Sequence, residues 1–251
     1  MLKTKRIEQI QEYVLEHQTA SLDELVKKFD VSKNTIRRDV QQLVERGEIK
    51  KVYGGVAVNH ATLKTFNERQ TRNQKQKEAI ARAAANFVED GDIIYIDSGT
   101  TTLEMVEYLQ TKHVTIITSN LDFITNSLPY HNLNVISTGG VLDRKTKSFV
   151  SFKNMDLLKA YNINKAFMAS TAISITNGVT NSSPLESEIK QTVVRRSSEV
   201  YLLVDHYKFD KAALMTYCGL DEIDYIITDT QPSKNYQEYA KKHDIELIIS
   251  E

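Results

Sequence analysis

Apolar residues recur at helical spacing three times within the first forty-five positions, and mostly in short runs thereafter. Between about Lys5 and His17, Ile7, Ile10, Val14 and Leu15 form one stripe and predict a first helix. Ser21 and Glu24 have the spacing of a capping box, with the hydroxyl placed to accept from the Glu24 amide and the carboxylate reaching back. Leu22, Leu25, Val26 and Phe29 then share one face of a short second helix. Asp30 and Val31 form a turn, and Ser32 caps a third helix whose Ile36, Val40, Leu43 and Val44 face inward. After Gly47, the stretch from Glu48 to Tyr53 alternates as a strand, and Gly54-Gly55 allows the reversal into Val56-Ala-Val58. Three helices closed by a hairpin make a winged helix-turn-helix, assigned to residues 1–58.

The pattern lapses from about Asn59 to Gln74, a polar stretch expected to be a linker. From residue 75 to the C-terminus helical and strand signals alternate. Ile80, Ala83, Ala84 and Phe87 make a helix face, and Leu103 to Leu109 is a second helical stretch. Strands are expected at 93–96, 114–117, 134–136, 166–168, 200–204, 225–227 and 246–249. Such alternation predicts an α/β domain with a largely parallel sheet. At 251 residues the chain is long enough to bury this second core.

Composition narrows the picture further. The net charge of −1 says little about nucleic acid as an average. Its distribution says more, because Lys64, Arg69, Arg72, Lys75 and Lys77 face only Glu68 between positions 64 and 77. Cys218 is the only cysteine, so no intrachain disulfide can form. The six histidines are scattered without metal-ligand spacing, so no metal and no cofactor are expected. No apolar run is long enough to cross a bilayer, and the basic N-terminus lacks a signal-peptide core. No membrane association and a cytoplasmic location are the expectations.

The outer face of the third helix carries Ser32, Lys33, Asn34, Thr35, Arg37, Arg38 and Gln41. Arginine can donate two bonds to guanine, Asn or Gln can bracket adenine, and lysine neutralises phosphate. Lys50 and Lys51 on the hairpin suit phosphates and would position rather than specify. Any amphipathic helix also needs a solvated polar face, with Asp39 pairing to a basic neighbour. Its place on the second helix of a capped pair favours double-stranded DNA.

In open parallel sheets, ligands bind outside the carboxyl ends of strands. Asp97-Ser-Gly-Thr-Thr-Thr102 follows the first strand and opens a helix, so Asp97, Ser98, Gly99, Thr100, Thr101 and Thr102 could cradle an anion. The motif is neither GxGxxG nor GxxxxGK, and a phosphate monoester is its simplest fit. Asn120, after Thr118-Ser, and Gly139 and Gly140, after Thr138, lie at the ends of the second and third strands. Asn181 is placed in a loop after Gly178, and Asp205 and Lys208 follow the fifth strand. Lys147, with Arg144 and Lys145, belongs to a basic loop able to close over a phosphorylated sugar. Glycines at 139 and 140 also suit plain turns, and Asp205 with Lys208 suits a salt bridge. Glu186 and Lys190, one helical turn apart, are expected to be an ordinary surface ion pair.

Arg6-Ile7, Ser21 to Leu25, Val31-Ser-Lys-Asn-Thr-Ile-Arg-Arg-Asp39, Leu43, Gly47 and Val52-Tyr-Gly-Gly55 resemble the signature of the DeoR family of bacterial sugar-catabolism repressors. Lys51 departs from it, since many members carry arginine there. Asp97 to Thr102, Thr118-Ser-Asn120, Thr138-Gly-Gly140, Gly178-Val-Thr-Asn181 and Asp205-His-Tyr-Lys-Phe209 resemble the family's effector domain, with Ser119 where threonine is often seen. The resemblance therefore spans almost the whole chain. It implies an effector domain at 75–251 similar to ribose-5-phosphate isomerase and related sugar-phosphate enzymes. It further implies a homo-oligomer (dimer or tetramer) that represses a carbohydrate operon and is released from operator DNA by a phosphorylated sugar. Val31-Ser-Lys-Asn-Thr35, Arg144-Lys-Thr-Lys-Ser-Phe149, Tyr161 to Met168 and Leu185-Glu-Ser-Glu-Ile-Lys190 are similar to the family's myo-inositol catabolism subgroup, which would imply a phosphorylated keto-deoxy-gluconate. The alternative is a sugar-phosphate isomerase carrying a DNA-binding module, with Asp97, Glu186, Asp205 or Lys208 moving protons.

Overall fold

The computed structural model describes residues 3–45, 49–58, 66–151 and 153–251, and the chain divides into compact units at 1–64 and 65–251. In the first unit α1 (Lys3–His17), α2 (Leu22–Phe29) and α3 (Lys33–Glu45) are followed by strands β2 (Ile49–Val52) and β3 (Gly55–Val58). A short strand not expected from the sequence, β1 (Thr19–Ser21), pairs antiparallel with β3 and leaves the sheet ordered β1-β3-β2. Ile7, Ile10, Val14, Leu25, Ile36, Val40, Leu43, Ile49 and Val56 are all buried in one core. Burying each such side chain is worth about 1.5–3 kcal/mol. The Leu15 side chain, Gly47, Glu48 and residues 59–65 lie outside the described residues.

The helix boundaries follow local chemistry. The Glu24 amide donates to Ser21 Oγ (3.1 Å) and the Ser21 amide to Glu24 Oε2 (3.3 Å), closing the capping box. Asp30 ends α2 in a left-handed conformation, φ 49°. Gly55 has a steric reason to lack a side chain, since a Cβ would stand 2.3 Å from the Ala20 carbonyl oxygen. Asp39 is not paired locally. It is buried on α3 and accepts from Arg6 Nε of α1 at 2.7 Å, which ties two helices 33 residues apart.

The second unit opens with α4 (Phe66–Thr71) and α5 (Gln74–Ala85). A stretch expected as linker is therefore helical from Phe66, whose ring is buried among Ile80, Ala84 and Leu103. One aromatic anchor in a polar hexapeptide gives no periodic signal, which is why the helix does not show in the sequence. The chain continues through β4 (Ile93–Ile96), α6 (Thr100–Leu103), β5 (Val114–Thr118), α7 (Leu121–Ser127), β6 (Leu133–Ser137) and a hairpin of β7 (Val141–Asp143) and β8 (Ser148–Val150). The expected helix at 103–109 is mostly a 3-10 segment, Glu104–Tyr108, that continues α6. Then come α8 (Lys153–Lys159), β9 (Ile163–Ala169), β10 (Ala172–Ser174), β11 (Gly178–Asn181), α9 (Pro184–Arg196) and β12 (Ser197–Leu203). Strands β13 (Met215–Cys218) and β14 (Tyr225–Thr228), α10 (Lys234–Lys242) and β15 (Glu246–Ile249) complete the unit.

All seven sequence-expected strands join one parallel sheet, ordered β15-β14-β12-β9-β4-β5-β6. Alternate residues serve opposite faces. Tyr95, Met168 and Leu202 meet α8, α9 and α10, while Ile94, Ile96, Phe167 and Leu203 meet α4 to α7. The chain starts at β4, moves outward to β6, then returns to β9 and moves out the other way. The strand order thus reverses between β4 and β9, which is where such sheets open a crevice. A second sheet, β10-β11-β13, is antiparallel, and no described helix is long and apolar enough to cross a membrane.

Candidate functional site

In the first unit, Ser32, Lys33, Asn34, Arg37 and Arg38 are exposed on α3, with Thr35 and Gln41 half-buried beside them. The Ser32 hydroxyl caps α3, accepting from the Thr35 amide at 3.2 Å. Lys33 Nζ reaches Asp23 at 2.6 Å, a pair open to water on both sides. Such pairs are worth about 0–1 kcal/mol, so Lys33 can exchange that partner for a phosphate at little cost. Lys51 of β2 donates to Gln41 Oε1 at 2.6 Å, which joins the hairpin to α3, and Lys50 is exposed next to it. Among the described residues neither Arg37 nor Arg38 ion-pairs with a carboxylate. Tyr53, fully exposed at the hairpin tip, was not among the expected contacts.

In the second unit, the β4–β9 crevice is organised by Asp97. Its Oδ1 accepts from the Ser98 amide at 2.8 Å, and its Oδ2 accepts from the Ala169 amide at 2.8 Å, so one carboxylate ties the ends of both strands. Lys190 of α9 donates to the same Oδ2 and to the Ala169 carbonyl at 3.1 Å. Gly99 is required here, because a Cβ would stand 2.3 Å from that of Ala169. Glu186 is buried, accepting from Ser148 Oγ at 2.8 Å, from Asn181 Nδ2 at 3.1 Å and from Ser98 Oγ at 3.4 Å. Burial pushes the Glu186 carboxyl up, but Lys190 and the bonds from Asn181, Ser148 and Thr146 outweigh it and hold the group below its ordinary value.

Glu186 and Lys190 are therefore not a surface ion pair. Both are buried, and Lys190 takes Asp97 as its direct partner. The i, i+4 spacing is the same for a solvated pair and a buried one, and what packs opposite decides between them.

Beside this network stands a group of cations. Lys77 of α5 is buried and donates to the Arg69 carbonyl of α4. Burial first, and then Lys208, bring the Lys77 ammonium down to about 8. Burial also lowers Lys208, with Arg69, Arg72 and Lys211 adding repulsion and Asp205 opposing it. Arg69 is lowered chiefly by burial and lies within electrostatic reach of Glu186 and Asp97. The Arg72 guanidinium lies over the Tyr207 ring, 4.9 Å from its centroid. Among the described residues, no carboxylate lies within ion-pair distance of Arg69, Arg72, Lys77 or Lys208. Asp205 and Lys208 thus make no direct salt bridge, and the Asp205 Oδ1 accepts from the Tyr207 amide at 3.0 Å. Positive charge crowded at a strand-end crevice, with no carboxylate at ion-pair distance among the described residues, suits an anion. In the sequence Arg69, Arg72 and Lys77 show only as members of a basic run, the first two within the stretch expected as linker and Lys77 just after it.

The other expected site residues fall into distinct places. Thr100 and Thr101 are buried at the start of α6, and among the described residues their hydroxyls have no hydrogen-bond partner. At four residues, α6 is too short to contribute much dipole, so the anion character of the crevice comes from its cations. Thr102 Oγ1 donates to the Asp97 carbonyl at 2.7 Å and accepts from the Gly99 amide at 3.1 Å, which shapes the loop. Asn120 caps α7 through the Phe123 amide at 3.2 Å and reaches the Gly99 carbonyl at 3.5 Å. Asn181 ends strand β11 rather than sitting in a loop. Gly140, φ 114°, answers to packing, since a Cβ would stand 2.6 Å from the Val150 carbonyl oxygen; Gly139, φ 68°, forms the turn before it. Lys147 pairs with Asp122 at 2.7 Å and lies 5.3 Å from the Phe66 ring centroid.

Comparison with known proteins agrees with this division. A DeoR-like helix-turn-helix model matches residues 6–62, and a DeoR C-terminal sensor domain model matches residues 72–230. The chain is 45% identical over 251 residues to the HTH-type transcriptional regulator IolR of Bacillus subtilis (strain 168), covering 99% of this chain and 100% of that one. It is 28% identical over 252 residues to the glycerol-3-phosphate regulon repressor of Escherichia coli (strain K12), covering 99% and 100%. Among solved structures, the ribose 5-phosphate isomerase A of Methanocaldococcus jannaschii aligns over 55% of each chain, with 17% identity and a TM-score of 0.40.

Proposed function

Because the chain belongs to the DeoR family of helix-turn-helix transcriptional regulators, we propose that it represses a carbohydrate-catabolism operon and leaves its operator when a phosphorylated sugar binds the β4–β9 crevice. Inositol catabolism is the favoured pathway, on the resemblance of the 144–149, 161–168 and 185–190 segments. The observation that carries the reading is the exposed Arg37–Arg38 pair on α3, without carboxylate ion-pair partners among the described residues and next to a lysine-bearing hairpin. Arg37, Asn34 and Gln41 read bases, while Ser32, Lys33, Thr35, Arg38, Lys50 and Lys51 set the helix against the backbone.

At the crevice, Lys208, Lys77 and Arg69 hold the phosphate, and Thr100, Thr101, Ser98 and Asn181 meet hydroxyls. Asp97 and Glu186 keep the loops in place. An effector shifts the repressor only by its preference for one of two states, and a hundredfold preference supplies about 2.7 kcal/mol. A dimer or tetramer would set two α3 helices on repeated half-sites, so a modest change in their spacing costs contacts at both. The enzymatic alternative has less support, since the relatives above are named transcriptional regulators and most oxygens of Asp97 and Glu186 are engaged with the protein itself.

The test is fluorescence anisotropy of the full chain on duplexes from its own promoter region, across a salt series and with a panel of sugar phosphates and their unphosphorylated parents. We expect log K to fall with log salt at about −0.9 per neutralised phosphate, and release by phosphorylated members only. Binding indifferent to salt, or release by the parents alone, would overturn the proposal.

A further inference from the structure

Helix α4 has an odd position in both the sequence and the fold. It occupies residues 66–71, between the segment matched by the helix-turn-helix model, 6–62, and the one matched by the sensor model, 72–230. Seven residues, 59–65, separate it from hairpin strand β3. Six residues are too few to hold a helix in water, so α4 depends on what it touches. Phe66 is its only buried residue, and the Phe66 amide donates to the Lys145 carbonyl at 3.1 Å. At its other end the Arg69 carbonyl accepts from buried Lys77, and Arg72, just beyond the helix, lies over Tyr207.

Cations gather around it, and among the described residues Arg69, Arg72, Lys77 and Lys208 have no carboxylate within ion-pair distance. Arg69, Arg72, Lys77, Lys208 and Lys211 act on one another across the gap between α4, α5 and the turn after β12. Among the described residues Asp205, Asp210 and Glu104 oppose them at longer range, and Asp97 and Glu186 act on Arg69 in the same sense. Without an anion, these cations repel and work against the docking of α4. With a phosphate among them, the same cations pull α4 onto the crevice.

Building on the proposed function, we propose that α4 is a clasp: Arg69 and Arg72 grip the effector's phosphate together with Lys77 and Lys208, and fixing α4 passes occupancy along the chain to the DNA-binding unit. The effector site then includes a segment outside both family models, and the connector to the DNA-binding unit begins at the ligand itself.

Two experiments on the full chain separate the parts of this proposal. The first uses inorganic phosphate against potassium chloride at matched ionic strength, with the melting temperature and hydrogen exchange of the α4 amides as readouts. Phosphate should raise the melting temperature and slow exchange in α4. Arg69→Gln should lose most of both effects, and Arg195→Gln, exposed on α9, should keep them. An equal response in Arg69→Gln, or no phosphate response at all, overturns the grip. The second lengthens the connector by a Gly-Ser-Gly-Ser insertion after Leu63 and repeats the operator titration with the sugar-phosphate panel. Operator affinity and sugar-phosphate affinity should each change less than threefold, while release should fall at least tenfold. Undiminished release overturns the transmission. If the unmodified chain is released by no phosphorylated sugar, the proposed function falls and transmission with it, while the phosphate experiment still decides the grip.

Discussion

Lys190→Met places the largest stress on the crevice. The lysine is buried and serves two buried carboxylates, donating directly to Asp97 and holding Glu186 electrostatically. Methionine keeps the volume and removes the charge, leaving a buried negative charge unpaired. Breaking a buried pair in this way costs about 3–5 kcal/mol. For a unit the size of residues 65–251, each kcal/mol shifts the melting temperature by about 2–4 °C, so the expected drop is roughly 6–20 °C at neutral pH. The pH dependence also changes. In the native chain Glu186 has a folded value below 4.5, so its contribution to stability is present above that value and is lost as pH falls through the folded one. Without Lys190 a lowering influence is gone while burial stays, so the Glu186 carboxyl rises relative to the native chain and the variant's deficit should shrink as the solution is acidified. Urea unfolding of both proteins at several pH values, with Glu186→Gln/Lys190→Met as the partner of a double-mutant cycle, measures this. A loss under about 1 kcal/mol, or a deficit that stays constant with pH, would refute the account of the network.

Three further outcomes are expected. Arg37→Ala should weaken operator binding by about 1–3 kcal/mol and relax preference at one base position, with the melting temperature unchanged because the side chain is exposed; anisotropy on single-base operator variants checks it. Lys208→Ala and Thr101→Val should each bind operator normally and resist release, measured as the sugar-phosphate concentration for half-release rising at least tenfold; an unchanged midpoint would displace the site. Lys77, with its value near 8, carries its charge below that pH and loses it above, so calorimetric affinity for a phosphorylated sugar should fall as pH rises from 7 to 9. In Lys77→Met that fall should be smaller.

Periodic elements were legible where burial on a face imposes a period. The capping box at Ser21, the stripes of α1 to α3 and all seven parallel strands are of this kind, because runs such as Ile93 to Ile96 cannot stay in water. Strands β7, β8, β10, β11 and β13 were not legible. They are three or four residues long, and exposed Val141, Leu142 and Met215 blur their alternation. The strand-end rule placed Asp97, Thr100 and Thr101 in the crevice from sequence, since a βα turn must lie at the sheet's carboxyl edge.

Tertiary structure alone decided how charges are partnered. Local spacing states which side chains can meet along one helix, and it is silent on what another element brings to them. Asp39 therefore finds Arg6 rather than a neighbour, Lys190 finds Asp97 across 93 residues, and Arg69, in what looks like polar connector, joins Lys77 and Lys208 at the crevice. Hydrophobic period is a property of the chain and can be read along it. The electrostatic environment of a charge depends on distance and burial in three dimensions, and it exists only once the chain has folded.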